Sequence, residues 1–598
     1  MKKKLGLFSF FICFGANLAV AQYNSLVIPE AYYGTIGPTG RTFNLTIKDT
    51  LKQFRAGNQT VTGSYSSPTQ KNNFWGPTLI YNNGEVIHLN VTNSLNEPTT
   101  VHWHGSHLPA IMDGGPHQVV AVGALWQPYW TVKNQAATLW YHPHMHATTQ
   151  AQLTKGIGGF MIVKDAAEAA LAIPRTYGVD DIPLALSSRR FLATTNAMAT
   201  TLADNYGDYA MVNGTLNPQV TLPKQVVRLR FLNAEVQRAY NIGFSDDRVF
   251  YVIANDGGML ETPIAVTRLP LSTGERAEII VDLSNSTVGS TLDLKAYNTT
   301  AQIQLLTPGQ STFGWPGLEG NPTTPTGGNG PLNGGLLNNT TFTFLHINIG
   351  ATTTATAAIT AIPSTLITNT YWTAANVTNS RTITITGGQG GTAFSLDNAY
   401  YSDALAPKVV ALDAYEKWTI VNNNIFGHTF HLHDVAFKII SRSGGNIGTT
   451  LRSYEQGWKD SVWLPINGSV TFVAKFDDYA DATWPYMYHC HALTHEDEGM
   501  MGQFVVTSNL ATNQNMLDTT FSLYPNPATN TLFINLKDAD TEIYYVTITT
   551  ITGRVVMMLP QPEWQNGIDV SSLPTGTYIL QMKDKQYKST TSKKFIKN

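Results

Sequence analysis

The sequence predicts an all-β protein with three β-sandwich domains and a smaller fourth domain. Short runs in which apolar and polar residues alternate recur between turn-forming residues, a pattern typical of half-buried strands. Hydrophobic residues make up 42% of the 598 residues and charged residues only 13%, which is enough apolar material for several cores. The clearest strand candidates are residues 85–95, 224–234, 276–285, 416–424 and 468–476.

Residues 1–21 have the features of a secretory signal peptide. Three lysines precede an apolar run, and an A-x-A cleavage site ends at Ala21. The alternative, a membrane anchor, would need a longer apolar run. Cleavage would remove Cys13 and leave Cys490 as the single cysteine of the mature chain. Because one thiol cannot form a disulfide within the chain, we expect Cys490 to be buried or bound to a metal.

Changes in composition divide the rest of the chain. A stretch rich in Gly, Pro, Asn and Thr predicts a linker or long loop at 306–338, and a second linker is predicted at 509–520. The predicted domains are 22–168, 169–305, 339–508 and 521–598. The net charge of −3 and the absence of a basic stripe argue against nucleic acid as a partner. After the leader, no segment is apolar enough to predict a transmembrane helix.

Histidine is scarce but strongly clustered. Random placement of the 15 histidines would give about 0.4 H-x-H pairs, whereas the sequence contains five. On a strand, residues i and i+2 face one side and residue i+1 faces the other, so each pair can present two imidazoles to one site. The pairs are His102/His104, His142/His144, His144/His146, His431/His433 and His489/His491.

The cysteine between two histidines points to copper. Two imidazoles, one thiolate and a weak axial methionine describe a blue-copper electron-transfer site. Cys490, His495 and Met500 have the spacing C-x4-H-x4-M, and His428 can supply the second imidazole. Structural zinc sites favour several cysteines, and catalytic zinc needs only three protein ligands. Copper therefore fits this many histidines with one cysteine better than zinc does.

Four motifs resemble, in order, the copper motifs of the multicopper oxidases, a family that includes laccases, bilirubin oxidase and bacterial cuprous oxidases. They are HWHG (102–105), WYHPH (140–144), HTFHLH (428–433) and HCHALTHEDEGM (489–500). The resemblance is strongest to three-domain bacterial members. It implies a row of cupredoxin-like β-sandwiches with four copper ions, which couples oxidation of a small reductant to reduction of dioxygen to water. The middle domain is expected to carry no ligand and to space the other two.

The resemblance also implies a role for each residue. The implied type 1 copper ligands are His428, Cys490 and His495, with Met500 axial. The implied type 2 ligands are His102 and His431, and the implied ligands of the type 3 pair are His104, His142, His144, His433, His489 and His491. Asp113 and Glu496 match acids that serve the cluster, although each could instead be an exposed carboxylate or a structural partner. The remaining histidines, which are expected not to bind copper, are His88, His107, His117, His146 and His346.

The reductant is expected to be organic. The family's cuprous oxidases carry an Asp and a Met where this chain has Asn424 and Phe426, and residues 350–400 contain no methionine. Because soft Cu(I) prefers thioether sulfur, a phenolic donor is favoured over Cu(I), Fe(II) or Mn(II). A copper-binding or electron-transfer protein without oxidase turnover is the non-enzyme alternative, and the complete set of cluster ligands argues against it. Copper nitrite reductases lack the four paired motifs.

Residues 521–598 resemble the sorting domain of the type IX secretion system of Bacteroidetes. The matching pieces are LYPNPATNTLFI (523–534), TGRVV (552–556), IDVSSLPTGTYIL (568–580) and KKFIKN (593–598). The alternative is an ordinary small β-sandwich. The resemblance implies export through the periplasm by that machinery, to the medium or the cell surface. We expect the protein to be a monomer.

Overall fold

The structure is a computed structural model that describes most of the chain. The described residues are 23–192, 195–200, 206–306, 308, 311–312, 314–318, 336–355, 357–388, 392–424, 426–444, 451–508, 521–536, 543–550, 555–560, 566–584 and 590–598. The predicted signal peptide, the linker at 509–520 and most of the stretch at 306–338 lie outside these ranges.

The first sandwich is built from two sheets. After the short strand β1 (Asn24–Ser25), which pairs with the second sandwich, its strands are β2 (Ala31–Tyr32), β3 (Thr35–Gly37), β4 (Gly40–Lys52), β5 (Thr60–Ser66), β6 (Thr78–Asn82), β7 (Val86–Ser94), β8 (Leu125–Trp126), β9 (Tyr129–Thr131), β10 (Ala137–Tyr141) and β11 (Gly159–Lys164). One sheet has the order β10-β11-β6-β2, and the other has the order β3-β4-β7-β8, with β5 on β4 and β9 on β7. The sheets meet through Phe43 and Tyr81, whose ring centroids lie 6.0 Å apart.

The second sandwich follows directly. Its strands are β12 (Asp181–Arg189), β13 (Tyr209–Val212), β14 (Thr215–Leu216), β15 (Pro218–Pro223), β16 (Val226–Asn233), β17 (Tyr240–Phe244), β18 (Phe250–Asn255), β19 (Gly258–Val266), β20 (Leu269–Leu271), β21 (Arg276–Asp282), β22 (Thr291–Tyr297) and β23 (Thr341–Gly350). The sheet orders are β14-β13-β12-β16-β21-β18-β19 and β1-β15-β23-β22-β17-β20. Phe244 and Phe250 join the two sheets, with ring centroids 5.5 Å apart.

Two predicted domain boundaries are wrong, because the strands next to them pair with strands of the middle sandwich. β23 was predicted to open the third domain at 339, but it pairs with β15 and β22. β1 was predicted to belong to the first domain, but it pairs with β15. Both segments lie at sheet edges or after a long connection, and backbone hydrogen bonds to strands distant in the sequence decide their membership.

The third sandwich carries the motifs of the C-terminal half. Its strands are β24 (Asn379–Gly387), β25 (Phe394–Leu396), β26 (Lys408–Ala411), β27 (Ala414–Asn422), β28 (His428–Leu432), β29 (Phe437–Gly444), β30 (Ser461–Leu464), β31 (Gly468–Phe476), β32 (Asp481–Cys490) and β33 (Met501–Thr507). The sheet orders are β25-β24-β27-β31-β29 and β26-β33-β32-β28-β30. Trp418 of one sheet packs edge-on against Tyr488 of the other.

The C-terminal region forms a smaller β domain. Its strands are β34 (Phe521–Tyr524), β35 (Thr531–Leu536), β36 (Ile543–Thr550), β37 (Val555–Pro560), β38 (Ile568–Asp569), β39 (Gly576–Asp584) and β40 (Thr590–Lys597). They form a sheet of order β34-β35-β38 and another of order β37-β36-β39-β40. Phe521, Val546 and Leu580 lie in its separate core. The predicted all-β class is thereby confirmed for the whole described chain.

Helices are few and short in the described residues. They are α1 (Thr149–Thr154), α2 (Ala166–Ala169), α3 (Thr300–Leu306) and α4 (Leu493–Asp497), with single 3-10 turns at Ala110–Met112, Ala374–Asn376 and Ser453–Glu455. Across the described ranges, no helix has the length and hydrophobicity that a membrane span requires.

The first and third sandwiches share one hydrophobic cluster. Buried side chains of both belong to it, including Trp103 and Tyr141 from the first and Phe430 and Tyr486 from the third. The middle sandwich has its own large core. All four histidine motifs therefore lie on or beside strands of two sandwiches that pack directly against each other.

Candidate metal centre

Strand pairing brings the motifs together in two steps. Within the first sandwich, His102 and His142 form a backbone bridge, with N–O distances of 2.8 and 3.1 Å. Within the third, β28 runs antiparallel to β32, and the register sets His431 opposite His489 and Phe430 opposite Cys490. Backbone pairing therefore joins two motifs within the first sandwich and two within the third. Docking of these two sandwiches then brings all four motifs together.

The cysteine lies in a buried set with two histidines. Sγ of Cys490 is 3.6 Å from Nδ1 of His428 and 3.6 Å from Nδ1 of His495. Met500 is fully buried, and its carbonyl accepts a hydrogen bond from the Cys490 N–H at 3.1 Å. Burial raises the pKa of the Cys490 thiol to about 12, so a cation must bind before the thiolate forms near neutral pH.

On the other side of β32, the imidazoles form a compact cluster. His489 and His491 flank Cys490, and their ring centroids lie 5.5 Å apart. Nε2 of His144 lies 3.1 Å from Nε2 of His433 and 3.0 Å from Nε2 of His489. These three nitrogens converge on one point from both sandwiches.

A second group converges beside it. Nδ1 of His104 lies 3.3 Å from Nε2 of His142. The ring of His491 lies 5.0 Å from that of His104 and 5.4 Å from that of His142. Both ring nitrogens of His491 are buried and have no hydrogen-bond partner among the described residues.

His102 and His431 complete the cluster. Their ring centroids are 5.8 Å apart. Nδ1 of His102 faces the Asp113 carbonyl at 3.0 Å, and Nδ1 of His431 faces the Asp460 carbonyl at 2.9 Å. The Nε2 atom of each is buried without a partner in the described part of the chain. Since Nδ1–H donates to the carbonyl, each Nε2 carries a free lone pair.

Burial keeps eight of the imidazoles in the two sets neutral. It lowers the pKa well below the ordinary value for five of them, which are His104, His142, His428, His431 and His433. It lowers the pKa to about 3 for His144, His491 and His495. Neutral imidazole is the form that binds metals, so these side chains can act as ligands without first losing a proton.

The donor set fits copper. Groups of donor atoms that all lie within 4.8 Å of one another include His102/His104/His142, His102/His431/His433, His144/His433/His489 and His428/Cys490/His495. Buried lone pairs that face each other at about 3 Å are costly unless a cation lies between them. Several imidazoles with one thiolate suit copper better than a hard cation.

Two predicted acids each contact two of these histidines. Asp113 lies with Oδ1 3.3 Å from Nδ1 of His102 and Oδ2 2.7 Å from Nδ1 of His433. Glu496 lies with Oε1 3.4 Å from Nδ1 of His144 and Oε2 3.2 Å from Nδ1 of His489. Burial raises the pKa of Glu496, but the neighbouring histidines outweigh it and lower the pKa to about 2. A carboxylate that accepts from Nδ1–H fixes the ring and its tautomer.

A third acid, Asp460, also contacts two of these histidines, and the sequence analysis did not predict it. Oδ1 of Asp460 lies 3.3 Å from Nε2 of His104 and 3.6 Å from Nδ1 of His431. Ser461 adds a hydroxyl 3.2 Å from Nδ1 of His431. The available signal was the run GWKDSV (457–462), which leads into β30, the partner of β28.

The remaining histidines lie elsewhere. His88 contacts the Thr39 carbonyl, and His346 contacts Asp293. His117 contacts Gln503, and the ring of His146 lies edge-on to Tyr401. His107 lies between carboxylates of the third sandwich, with Nδ1 2.8 Å from Asp434 and Nε2 3.1 Å from Asp478.

Two phenylalanines line the cysteine-containing set. The Phe394 ring centroid lies 4.7 Å from that of His428 and 4.4 Å from that of His495. Phe426 lies 5.9 and 5.5 Å from the same rings. Asn424 is buried, and its Nδ2 donates to the Gly387 carbonyl. Phe394 had no sequence signal, because it lies 34 positions before His428 on a different sheet.

Models of known families match most of the chain outside the middle sandwich. Multicopper oxidase family models match residues 55–168 and 374–509, and a model for a secretion system C-terminal sorting domain matches residues 522–598. Bilirubin oxidase of Albifimbria verrucaria is 30% identical over 72% of this chain and 71% of its own length. Cell division protein FtsP of Xenorhabdus nematophila is 30% identical over 72% of this chain and 83% of its own length.

Solved structures give the same result for the fold. A laccase from Pediococcus acidilactici has a TM-score of 0.67 at 26% identity, covering 82% of this chain and 94% of that one. A laccase-like multi-copper oxidase, CueO, from an Ochrobactrum species has a TM-score of 0.66 at 28% identity, covering 80% and 100%. The predicted row of cupredoxin-like β-sandwiches is confirmed.

Proposed function

The chain belongs to the multicopper oxidase family, and we propose that it is a laccase-like member whose reductant is an organic compound of the phenol class. As a family member it is a copper-dependent oxidoreductase that uses dioxygen as electron acceptor. The observation that carries the finer proposal is the pair of aromatic side chains, Phe394 and Phe426, against the two histidines of the cysteine-containing set.

We assign the type 1 site to His428, Cys490, His495 and Met500, because three of their donor atoms form one buried group beside the methionine. We assign the trinuclear cluster to the other eight motif histidines, which are His102, His104, His142, His144, His431, His433, His489 and His491. Bound copper supplies one-electron oxidation at the first set and reduction of dioxygen at the second. Twelve residues of this chain thus hold the metal.

The chain itself links the two sets. Cys490 is joined by peptide bonds to His489 and His491, and strand alternation turns the thiol to one side and both imidazoles to the other. The shortest covalent route between the sets therefore runs through this tripeptide. We propose that the electron of the reductant enters this route through His428 or His495, the two histidines whose rings Phe394 and Phe426 contact.

The surroundings of the outer histidines favour an organic donor. Ligand sites for small organic molecules are mostly apolar with a few polar groups, and the rings of Phe394 and Phe426 give His428 and His495 apolar surroundings. Asn424 and Phe426 replace the carboxylate and thioether that would attract a soft cation. The Ochrobactrum relative has oxidase activity towards lignin model compounds and lignosulfonate, which supports the same substrate class here.

Asp113 and Glu496 are proposed to serve the proton requirement. Reduction of dioxygen to water consumes four protons, and both carboxylates are buried at the cluster. Asp113 accepts a hydrogen bond from Nδ1 of His433, and the Glu496 carboxylate lies beside Nδ1 of His144 and His489 at the distances given above. We propose that they orient these rings towards the metal and could supply protons for the reduction of dioxygen.

Export is indicated by the C-terminal sorting domain, which directs proteins to type IX secretion. We propose that the signal peptide takes the chain to the periplasm first. We further propose that the enzyme acts outside the cell or on its surface as a monomer, so that its reductant comes from the environment.

The test is oxygen consumption by the purified holoenzyme with substituted phenols, bilirubin, and ferrous, manganous and cuprous ions at matched concentrations. Electron-rich phenols are expected to give the highest kcat/KM. If turnover with cuprous ion is far above that with every organic donor, and persists without added labile copper, the proposal is refuted and a metal-ion oxidase is favoured.

A double variant and a control make this test more specific. Asn424→Asp with Phe426→Met restores the carboxylate and the thioether, so we expect cuprous turnover to rise and phenol kcat/KM to fall by about tenfold or more. Phe533→Ala, in the C-terminal domain, is the matched control for loss of an aromatic side chain and should change neither. If the double variant leaves the ratio of the two substrates unchanged, the aromatic wall does not select the reductant.

A further inference from the structure

The middle sandwich holds none of the candidate copper ligands, but one of its arginines extends to the candidate metal centre. Arg276, the first residue of β21, is fully buried and makes five side-chain hydrogen bonds. Its Nε donates to the Thr138 carbonyl of the first sandwich at 3.2 Å. Its two Nη atoms donate to the Gly274 and Asp256 carbonyls of its own sandwich at 3.0 and 3.1 Å. One side chain thereby joins strands from two sandwiches.

The remaining two bonds reach the third sandwich. Nη1 and Nη2 of Arg276 donate to Oδ1 and Oδ2 of Asp460 at 2.7 and 2.5 Å. This bidentate fork orients a carboxylate in a way that a lysine cannot. Oδ1 of Asp460 in turn lies 3.3 Å from Nε2 of His104 and 3.6 Å from Nδ1 of His431. A continuous chain of contacts thus leads from β21 to two histidines on different sandwiches.

Two glycines make room for this chain of contacts. A Cβ at Gly105 would lie 2.7 Å from Nη2 of Arg276 and 2.8 Å from Oδ2 of Asp460. A Cβ at Gly274 would lie 2.8 Å from the ring of His491. Both glycines have positive φ, of 86° and 77°, so any side chain there would add strain to the clash. The backbone of the middle sandwich is therefore packed directly against a cluster histidine.

A buried charge network holds the arginine in place. Asp256 accepts from the Arg276 backbone N–H at 2.7 Å, and Lys459 pairs with both Asp256 at 3.0 Å and Glu275 at 2.9 Å. All four side chains are at least 90% buried. Such a network is costly to disturb, because the loss of one member leaves another charge without its partner.

We propose that Arg276 is a positioning residue of the trinuclear cluster. Through Asp460 it fixes the orientation of His104 and His431, so that Nδ1 of the first and Nε2 of the second face the metal. The middle sandwich then determines how tightly the cluster retains copper, beyond separating the other two. The inference rests on the copper ligands assigned above and is independent of the phenol substrate.

The test measures copper retention in Arg276→Gln without any substrate. We expect the chelator concentration that removes half of the cluster copper to fall about tenfold or more, within the range typical for residues that orient ligands. The type 2 copper resonance should change, while the blue absorption of the cysteine-containing site persists. Arg276→Lys restores the charge without the fork and should recover only part of the retention.

Arg230→Gln is the matched control. Arg230 is buried on the neighbouring strand β16 and forms a fork with Asp181 at 2.6 and 2.7 Å. Its loss should destabilise the middle sandwich comparably without altering copper retention. Equal chelator midpoints for Arg276→Gln and either wild type or Arg230→Gln would overturn the proposal.

Asp460→Asn provides a second route if Arg276→Gln does not fold. The amide has nearly the same shape but cannot accept two forked bonds as a carboxylate does. It should lose cluster copper in the same way. Retention of all four copper ions at the wild-type chelator midpoint in Asp460→Asn would also refute the positioning role.

Discussion

Nε2 of His144 lies 3.0 Å from Nε2 of His489, although 345 positions separate them in the sequence. His144 follows β10 of the first sandwich, and His489 lies on β32 of the third. The two nitrogens approach only when these sandwiches are docked. Contacts across the interface should therefore influence both the stability of the protein and its hold on copper.

His107 provides such a contact and should make the interface sensitive to pH. Burial lowers its pKa, but Asp434 and Asp478 of the third sandwich outweigh this and raise the pKa to about 10. Because the unfolded value is about 6.5, the contribution of protonated His107 is lost as pH rises through about 10; burial raises the pKa of its partner Asp434 to about 6, so that part of the interaction weakens below that pH. His107→Gln should therefore lower the free energy of unfolding by about 1–3 kcal/mol at pH 6 and by less at pH 10.

Denaturant unfolding of the apo-protein at both pH values measures this difference. His88→Gln is the control, because the His88 ring contacts the Thr39 carbonyl and stacks on Tyr129 within the first sandwich. A loss in His107→Gln that is the same at pH 6 and pH 10 would show that packing, and not charge, carries the contribution.

Cys490→Ser should abolish both the blue colour and the oxidase activity. The serine oxygen is a hard ligand that cannot replace thiolate in a blue-copper site, and Cys490 is the one cysteine of the mature chain. Absorption spectroscopy and oxygen uptake measure the two effects. The eight cluster histidines remain, so cluster copper should stay bound, and a blue, active serine variant would contradict the assignment.

Glu496→Gln should slow the reaction with dioxygen and leave oxidation of the reductant unchanged. The amide cannot deliver a proton, so steady-state turnover should fall by about 10²-fold or more. Anaerobic bleaching of the blue colour by a phenol reports the other half-reaction and should keep its rate. Glu498→Gln, two residues further along, is the control. Equal slowing of both half-reactions in Glu496→Gln would assign the acid a structural role.

Deletion of residues 521–598 should leave copper content and activity of the purified protein intact. The segment contains no histidine and no cysteine, and its core is separate from that of the third sandwich. Among the described residues, Gln581 donates a hydrogen bond to the Thr483 hydroxyl at 3.2 Å, and Val555 and Met558 pack against the core of the neighbouring sandwiches. In the native host the truncated protein should remain in the periplasm, as fractionation would show. Loss of copper would mean that the tail supports the catalytic fold.

The sequence alone determined the class of fold and the metal, and it supplied the candidate ligands. Alternation along strands is a local property, so H-x-H pairs and the Cys490 tripeptide could be assigned faces before any strand was paired. The four motifs were also enough to identify the family, because the chemistry of copper restricts which residues can be used and at what spacing.

The tertiary structure decided which residues surround those ligands. Asp460, Arg276 and Phe394 lie outside the paired motifs, and their roles follow from which strands are neighbours and how the sandwiches dock. The same reason explains why β23 joined the middle sandwich against expectation. Long-range hydrogen bonds and the burial of charge depend on the folded chain as a whole, and no local pattern encodes them.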